Sequence, residues 1–154
     1  MTSLLNPAIQ NRASLHIPGL EHVAFQLKNV ELPGLSAQAG SQNTPKGILP
    51  REGSVIEYGD LPIEFHVSGD LSEYISAQTW LTRSHISKGP AQYQMETPKQ
   101  ITLYIYDPHY QVVQTVQFYE CVPIELSSLQ YDQSSSTVSL SATITIDYTY
   151  YEFT

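Results

Sequence analysis

The sequence has a single cysteine, Cys121, in 154 residues, so no disulfide can close within one chain. It has no basic residue after position 99: Arg12, Lys28, Lys46, Arg51, Arg83, Lys88 and Lys99 all come before it. Seven basic against fifteen acidic residues leave a formal charge of −8. A phosphate backbone or an anionic membrane selects the opposite sign. No apolar run reaches the ~20 residues of a bilayer span, and the first ten residues carry no basic segment followed by a long apolar one. These absences predict a soluble chain made in the cytoplasm, whose mature form is the whole chain.

Catalytic signatures are missing too. There is no phosphate-cradling glycine loop, no dinucleotide fingerprint and no nucleophile elbow. The histidines His16, His22, His66, His85 and His109 never fall at metal-ligand spacing. Asp107, Asp132 and Asp147 would need two carboxyls held across a cleft to act as a glycosidase pair, and two of the three stand in turn-like contexts. Cys121 has no nearby cation to favour a thiolate and reads as a small buried hydrophobe. We therefore expect no enzyme, no metal and no cofactor.

What is present is β-sheet pattern. The length suits one domain with a substantial core. Residues 1–20, broken by Pro7, Pro18 and Gly19, read as an arm lying on something else. Residues 21–154 read as a single β domain. Val23, Phe25 and Leu27 alternate with polar neighbours, predicting a strand over 21–28. Residues 36–58, rich in Ser, Gln, Gly and Pro, read as a long loop of the kind that function or a partner orders. Ile63, Phe65 and Val67 mark the next strand. Asp70 and Glu73 then form a capping-box-like start to a helix over 71–84. Its predicted apolar face is Leu71, Tyr74, Ile75, Gln78 and Leu81, with Ala77 and Trp80 nearby, and Lys88-Gly89-Pro90 closes it.

A hairpin follows, with Ile101, Leu103 and Ile105 on one arm, Asp107-Pro108-His109-Tyr110 as its turn, and 112–120 returning. A short strand is expected over 124–131. From Val138 through Leu140, Ala142, Ile144, Ile146, Tyr148 and Tyr150 the alternation is unbroken. Read as one strand it would be ~46 Å long, overhanging a body whose gyration radius is ~15 Å unless it pairs beyond it. The expected architecture is mainly β: a β-sandwich or barrel of about seven antiparallel strands with one flanking α-helix. The aromatics Tyr148, Tyr150 and Tyr151 suit sheet packing and subunit contact, or stacking on sugars.

The succession of elements resembles the tail tube proteins of contractile-tailed bacteriophages. The resemblance rests on Val-Glu-Leu-Pro-Gly-Leu-Ser (30–36), the Gly/Pro loop, Glu57-Tyr58-Gly59-Asp60-Leu61-Pro62-Ile63-Glu64-Phe65, an Asp-capped helix containing Trp80-Leu81, a hairpin, and the ending Ile146-Asp147-Tyr148-Thr149-Tyr150. It covers roughly residues 21–153 and implies a virion structural protein assembled in the host cytoplasm. Its copies would form hexameric rings that stack into a tube, each subunit giving strands to one continuous inner barrel. Neighbours would be adjacent rings, sheath and baseplate proteins. DNA would pass through without specific binding, and no membrane is involved.

The resemblance also implies site residues. The loop, with Gly40, Pro45, Lys46, Gly47, Pro50 and Arg51, would contact the next ring. Thr143, Thr145 and Asp147 would line the lumen if the polar face of the last strand does so. The basic-free final third suits a wall that must not hold phosphate. Two alternatives stand beside this reading: a tube-initiator or baseplate-hub ring of the same fold that does not polymerise, and a carbohydrate-binding β-sandwich.

Overall fold

The computed structural model describes residues 13–21, 23, 26–51, 53, 55–85, 99–134 and 139–154. Residues 1–12 of the expected arm, Phe25, the helix stop at Lys88-Gly89-Pro90 and Val138 lie outside these. The strands are β1 (Ala13–His16), β2 (Leu27–Val30), β3 (Leu35–Ala37), β4 (Gly40–Thr44), β5 (Gly47–Arg51), β6 (Ile56–Tyr58), β7 (Leu61–His66), β8 (Gln100–Tyr106), β9 (Val112–Tyr119), β10 (Val122–Leu126), β11 (Ser141–Asp147) and β12 (Tyr150–Phe153). The helix α1 is Ser72–His85.

Two four-stranded sheets, β1-β8-β9-β12 and β10-β11-β7-β2, are antiparallel throughout. Their inward side chains merge into one core. Leu15, Ile101, Leu103, Val116 and Phe118 come from the first sheet; Leu61, Ile63, Phe65, Ala142, Ile144 and Ile146 come from the second. Alternation explains this: every second residue of a strand points to one face, so the period-2 apolar positions all enter the same interior. Helix α1 packs against β10, and Tyr74 donates its hydroxyl to the Ser127 carbonyl at 3.1 Å. Among the described residues the fold is thus mainly β, with α1 as the flanking helix that the sequence predicts. Among the described residues eight strands form the two sheets, against about seven expected, and four more form the two pairs of a separate ribbon.

Several local expectations are corrected. Residues 13–20 are not an arm: β1 pairs with β8, and Leu15, Ile17 and Leu20 are buried. Pro18, which obscured their periodicity, only follows a short strand. The strand expected over 21–28 begins at Leu27, because the chain first turns, with Val23 N–H bonded to the Leu20 carbonyl at 3.1 Å. The strand expected over 124–131 is β10, which starts at Val122 and ends at Leu126.

Helix α1 buries Glu73, Ala77 and Trp80, whereas Ile75 is 54% exposed and Gln78 is exposed. The buried stripe is thus rotated from the expected one. The long terminal strand is two strands: β11 pairs with β7 and β10, and after a break at Tyr148 and Thr149, β12 pairs with β9 in the other sheet. The chain bends between sheets at this corner, so the ~46 Å element does not exist.

Residues 36–58 are not structureless. Here β3 pairs with β6, and β4 pairs with β5 across a turn at Pro45 and Lys46. Gly47, at φ 126°, adopts a conformation that only glycine takes without strain. Gly53 approaches the link between β3 and β4 so closely that a Cβ would stand 1.5 Å from the Gln38 carbonyl oxygen. A ribbon exposed on both faces needs no apolar alternation, which is why its strands are invisible to a periodicity reading.

Candidate assembly surfaces

The ribbon is rooted by hydrogen bonds and aromatic rings. Gly59 N–H donates to the Gly34 carbonyl at 3.1 Å, and the Tyr151 hydroxyl donates to the Pro33 carbonyl at 3.0 Å. Tyr58 meets Tyr148 and Tyr151 edge-to-face, with ring centroids 5.9 and 5.5 Å apart, and Phe118 completes the cluster. Such pairs add ~0.5–1.5 kcal/mol each beyond the area they bury. The root is therefore firm. Beyond it, residues 35–43 and 45–48 are exposed, and Ile48 is 71% exposed. Gly40 opens β4, Pro45 and Lys46 form the turn, and Gly47, Pro50 and Arg51 belong to β5. The six residues expected in one loop do lie together, on the distal half of the ribbon.

Thr143, Thr145 and Asp147 share the face of β11 opposite its buried Ala142, Ile144 and Ile146. Thr143 stands across from Glu64, and Thr145 from Pro62 and Glu125. This outer face therefore carries Glu64, Glu125 and Asp147. Lys28 answers one of them, donating to Glu64 at 3.2 Å. The outer face of the other sheet differs. Across its four strands it sets His16, Thr102, Gln117 and Glu152 in one row, and Gln100, Tyr119 and Tyr150 in the next. Tyr119 and Tyr150 stack at 4.8 Å. Burial, with Glu152 and Tyr150 close by, raises the Tyr119 pKa, so its hydroxyl stays neutral at physiological pH.

Of the aromatics expected at a subunit contact, Tyr148 belongs to the core. It is buried, and its hydroxyl has no hydrogen-bond partner. Burial, then the nearby Tyr151 and Asp60, push its pKa up. Tyr148 thus takes the sheet-packing place of the roles expected of it rather than a free surface, because the apolar phase of β11 carries one residue past the strand end. Tyr151 is half-buried at the ribbon root, and Tyr150 remains on the outer face. Sugar stacking would thus have one of the three rings available.

The sequence reading missed Tyr58 as a root residue. It also missed the exposed apolar residues Leu35, Ile48, Val55 and Ile56 on the ribbon, and Tyr110, Val112 and Val113 at the β8–β9 hairpin end. Islands of aliphatics in a Ser/Gln-rich stretch were the available signal. Among the described residues no group of three His, Cys, Asp or Glu side chains is placed to hold a metal ion. Burial pushes the Cys121 thiol up to about 12, so it is not a nucleophile at neutral pH.

No protein-family model matches the sequence, and no curated protein matches it. Solved structures do match over nearly the whole chain. One is from the sheath–tube complex of an extracellular contractile injection system (PVC) in its extended state: TM-score 0.68, 13% identity, covering 99% of this chain and 95% of the other. A second is from the sheath/tube terminator of such a system, with TM-score 0.69, 13% identity and 96% of each chain. A third is from the six-fold symmetrised baseplate of the anti-feeding prophage, with TM-score 0.65, 10% identity, 97% of this chain and 96% of the other. The fold is that of contractile-tail tube proteins.

Proposed function

We propose that this chain is a structural subunit of the inner tube of a contractile, phage-like tail, forming rings of six that stack into a conduit for DNA ejection. The observation that carries this reading is the end-to-end likeness to the sheath–tube chain, 99% of this chain against 95% of that one. The ribbon supports it, because a two-stranded element exposed on both faces is marginally stable alone and suits contact with an adjacent ring through Gly40, Pro45, Lys46, Gly47, Pro50 and Arg51. The lumen wall in this reading includes Thr143, Thr145 and Asp147. Their face, with Glu64 and Glu125, repels phosphate rather than holding it. Tyr150 is the aromatic left for a ring neighbour, and sheath and baseplate proteins are the outer partners.

A second reading is supported by the terminator chain, which fits as well as the tube chain, 0.69 against 0.68. In it the protein is an end ring, an initiator or hub component that does not polymerise.

The test is mass measurement and negative-stain imaging across a concentration series. Six copies of the 17.2 kDa chain make about 103 kDa. Long tubes support the tube reading, and lone rings of that mass support the end ring. A monomer at every concentration, also with preformed tube ends added, overturns both.

A further inference from the structure

The molecule has two exposed apolar ends, and they are far apart. The ribbon root sits against Tyr151 and Phe118. Along β9, Phe118 and Val112 are six residues apart, ~20 Å. At that far end the β8–β9 hairpin exposes Tyr110, Val112 and Val113, the last at 58%. At the other end the ribbon exposes Leu35, Val55, Ile56 and Ile48. Adjacent aliphatics left in water on both ends mark association surfaces. Among the described residues β4 pairs only with β5 and β5 only with β4, so the ribbon finds no cover in the described sheets.

Charge separates the two ends as well. Residues 40–51 hold Lys46 and Arg51 and no acidic residue. The hairpin end carries Asp107, whose Oδ1 accepts from the backbone N–H of His109 and Gln111 at 2.8 and 2.9 Å. That fixes the turn and keeps the carboxylate at the surface. The whole chain from 100 onward adds five more acids and no base.

We propose that the β4–β5 ribbon tip of one copy docks on the β8–β9 hairpin end of a second copy. Ile48 lies against Val112 and Val113, and Lys46 in the ribbon turn faces the Asp107 end. This rests on the tube reading and names the receiving surface for the ribbon. Because the two surfaces differ, the contact is heterologous and repeats head-to-tail. It gives a stack with a direction rather than a closed pair.

Two variants that each add one surface cysteine test it, Ile48→Cys and Val113→Cys. Both sites are exposed, so folding is not at stake, and the native Cys121 is buried, so it stays silent. Assembled material is treated with oxidised glutathione, and its assembly is read by sedimentation in the same sample. The expected result is disulfide-linked dimers in the mixture of the two variants, none in either alone, and a ladder of multimers from the double variant. Dimers from Ile48→Cys alone would mean ribbon meets ribbon. Stacked material that gives no cross-link in the mixture would place the receiving surface elsewhere. Either result overturns this proposal and leaves the tube reading standing, whereas failure of the wild-type chain to assemble at all overturns both.

Discussion

Glu73 is buried, 4% exposed, in the first turn of α1. Its Oε2 accepts from Ser68 N–H at 3.0 Å and lies 2.6 Å from Ser68 Oγ, which is equally close to Asp70 Oδ1. Burial raises the Glu73 pKa, but the bonds from Ser68 outweigh it and the net shift is downward from 4.5. A depressed folded-state pKa stabilises the fold above the unfolded value, and that stability is lost as pH falls through the folded value. Glu73→Gln should therefore cost ~1.5–3 kcal/mol at pH 7. The gap to the wild type should begin to narrow below about pH 4.5 and close as pH falls further. Urea titrations at pH 7, 5, 4 and 3 check this. A gap that stays constant would place the loss in packing rather than charge. The sequence showed this pair as a cap, but the partner Ser68 was illegible because the chain first turns through Leu71 at φ 60°.

Among elements, the β8–β9 hairpin was legible because Ile101, Leu103 and Ile105 alternate around a turn with its own chemistry in Asp107. The phase of β11 was legible for the same reason, and its length was not. Side-chain alternation continues unchanged when a strand bends into another sheet, so nothing in Tyr148-Thr149-Tyr150 announces the corner. The ribbon was illegible in the opposite way, since its strands have no buried face to write a pattern. Ile144→Asp tests the phase of β11. Ile144 is 1% exposed, and an unpaired buried charge costs more than ~4 kcal/mol, a large part of a typical ~5–15 kcal/mol stability. The variant should lose its cooperative melt by circular dichroism. A native melt would mean that the residue does not face the core.

At the scale of the molecule, body and ribbon are energetically separate. Between 35 and 57 no described residue enters the hydrophobic core, and the ribbon touches it through Tyr58 at the root. Replacing residues 40–51 by an Asn-Gly turn should leave the melting midpoint within ~2–4 °C, the shift expected for ~1 kcal/mol in a chain of this size. Sedimentation of the same sample should show stacking lost. A large fall in the midpoint would show that the ribbon stabilises the body. The acidic final third was legible as charge, but not as surfaces of different character: Glu125 and Asp147 go to one outer face, Glu152 to the other, and Asp107 to the hairpin turn. Only the strand order decides that division.

The pairing of β1 with β8 sets an order in time. Ala13 lies against Ile105, so a segment made early in synthesis has no partner until about ninety further residues have left the ribosome. At ~5–20 residues per second that is a wait of ~5–20 s. Contacts between such distant parts of a chain also form slowly once the partner exists. Until β1 docks, the outer edge of β8 stays open and the core lacks Leu15, Ile17 and Leu20. The chain thus completes this sheet late, and it depends on β1 docking before another strand finds the bare edge.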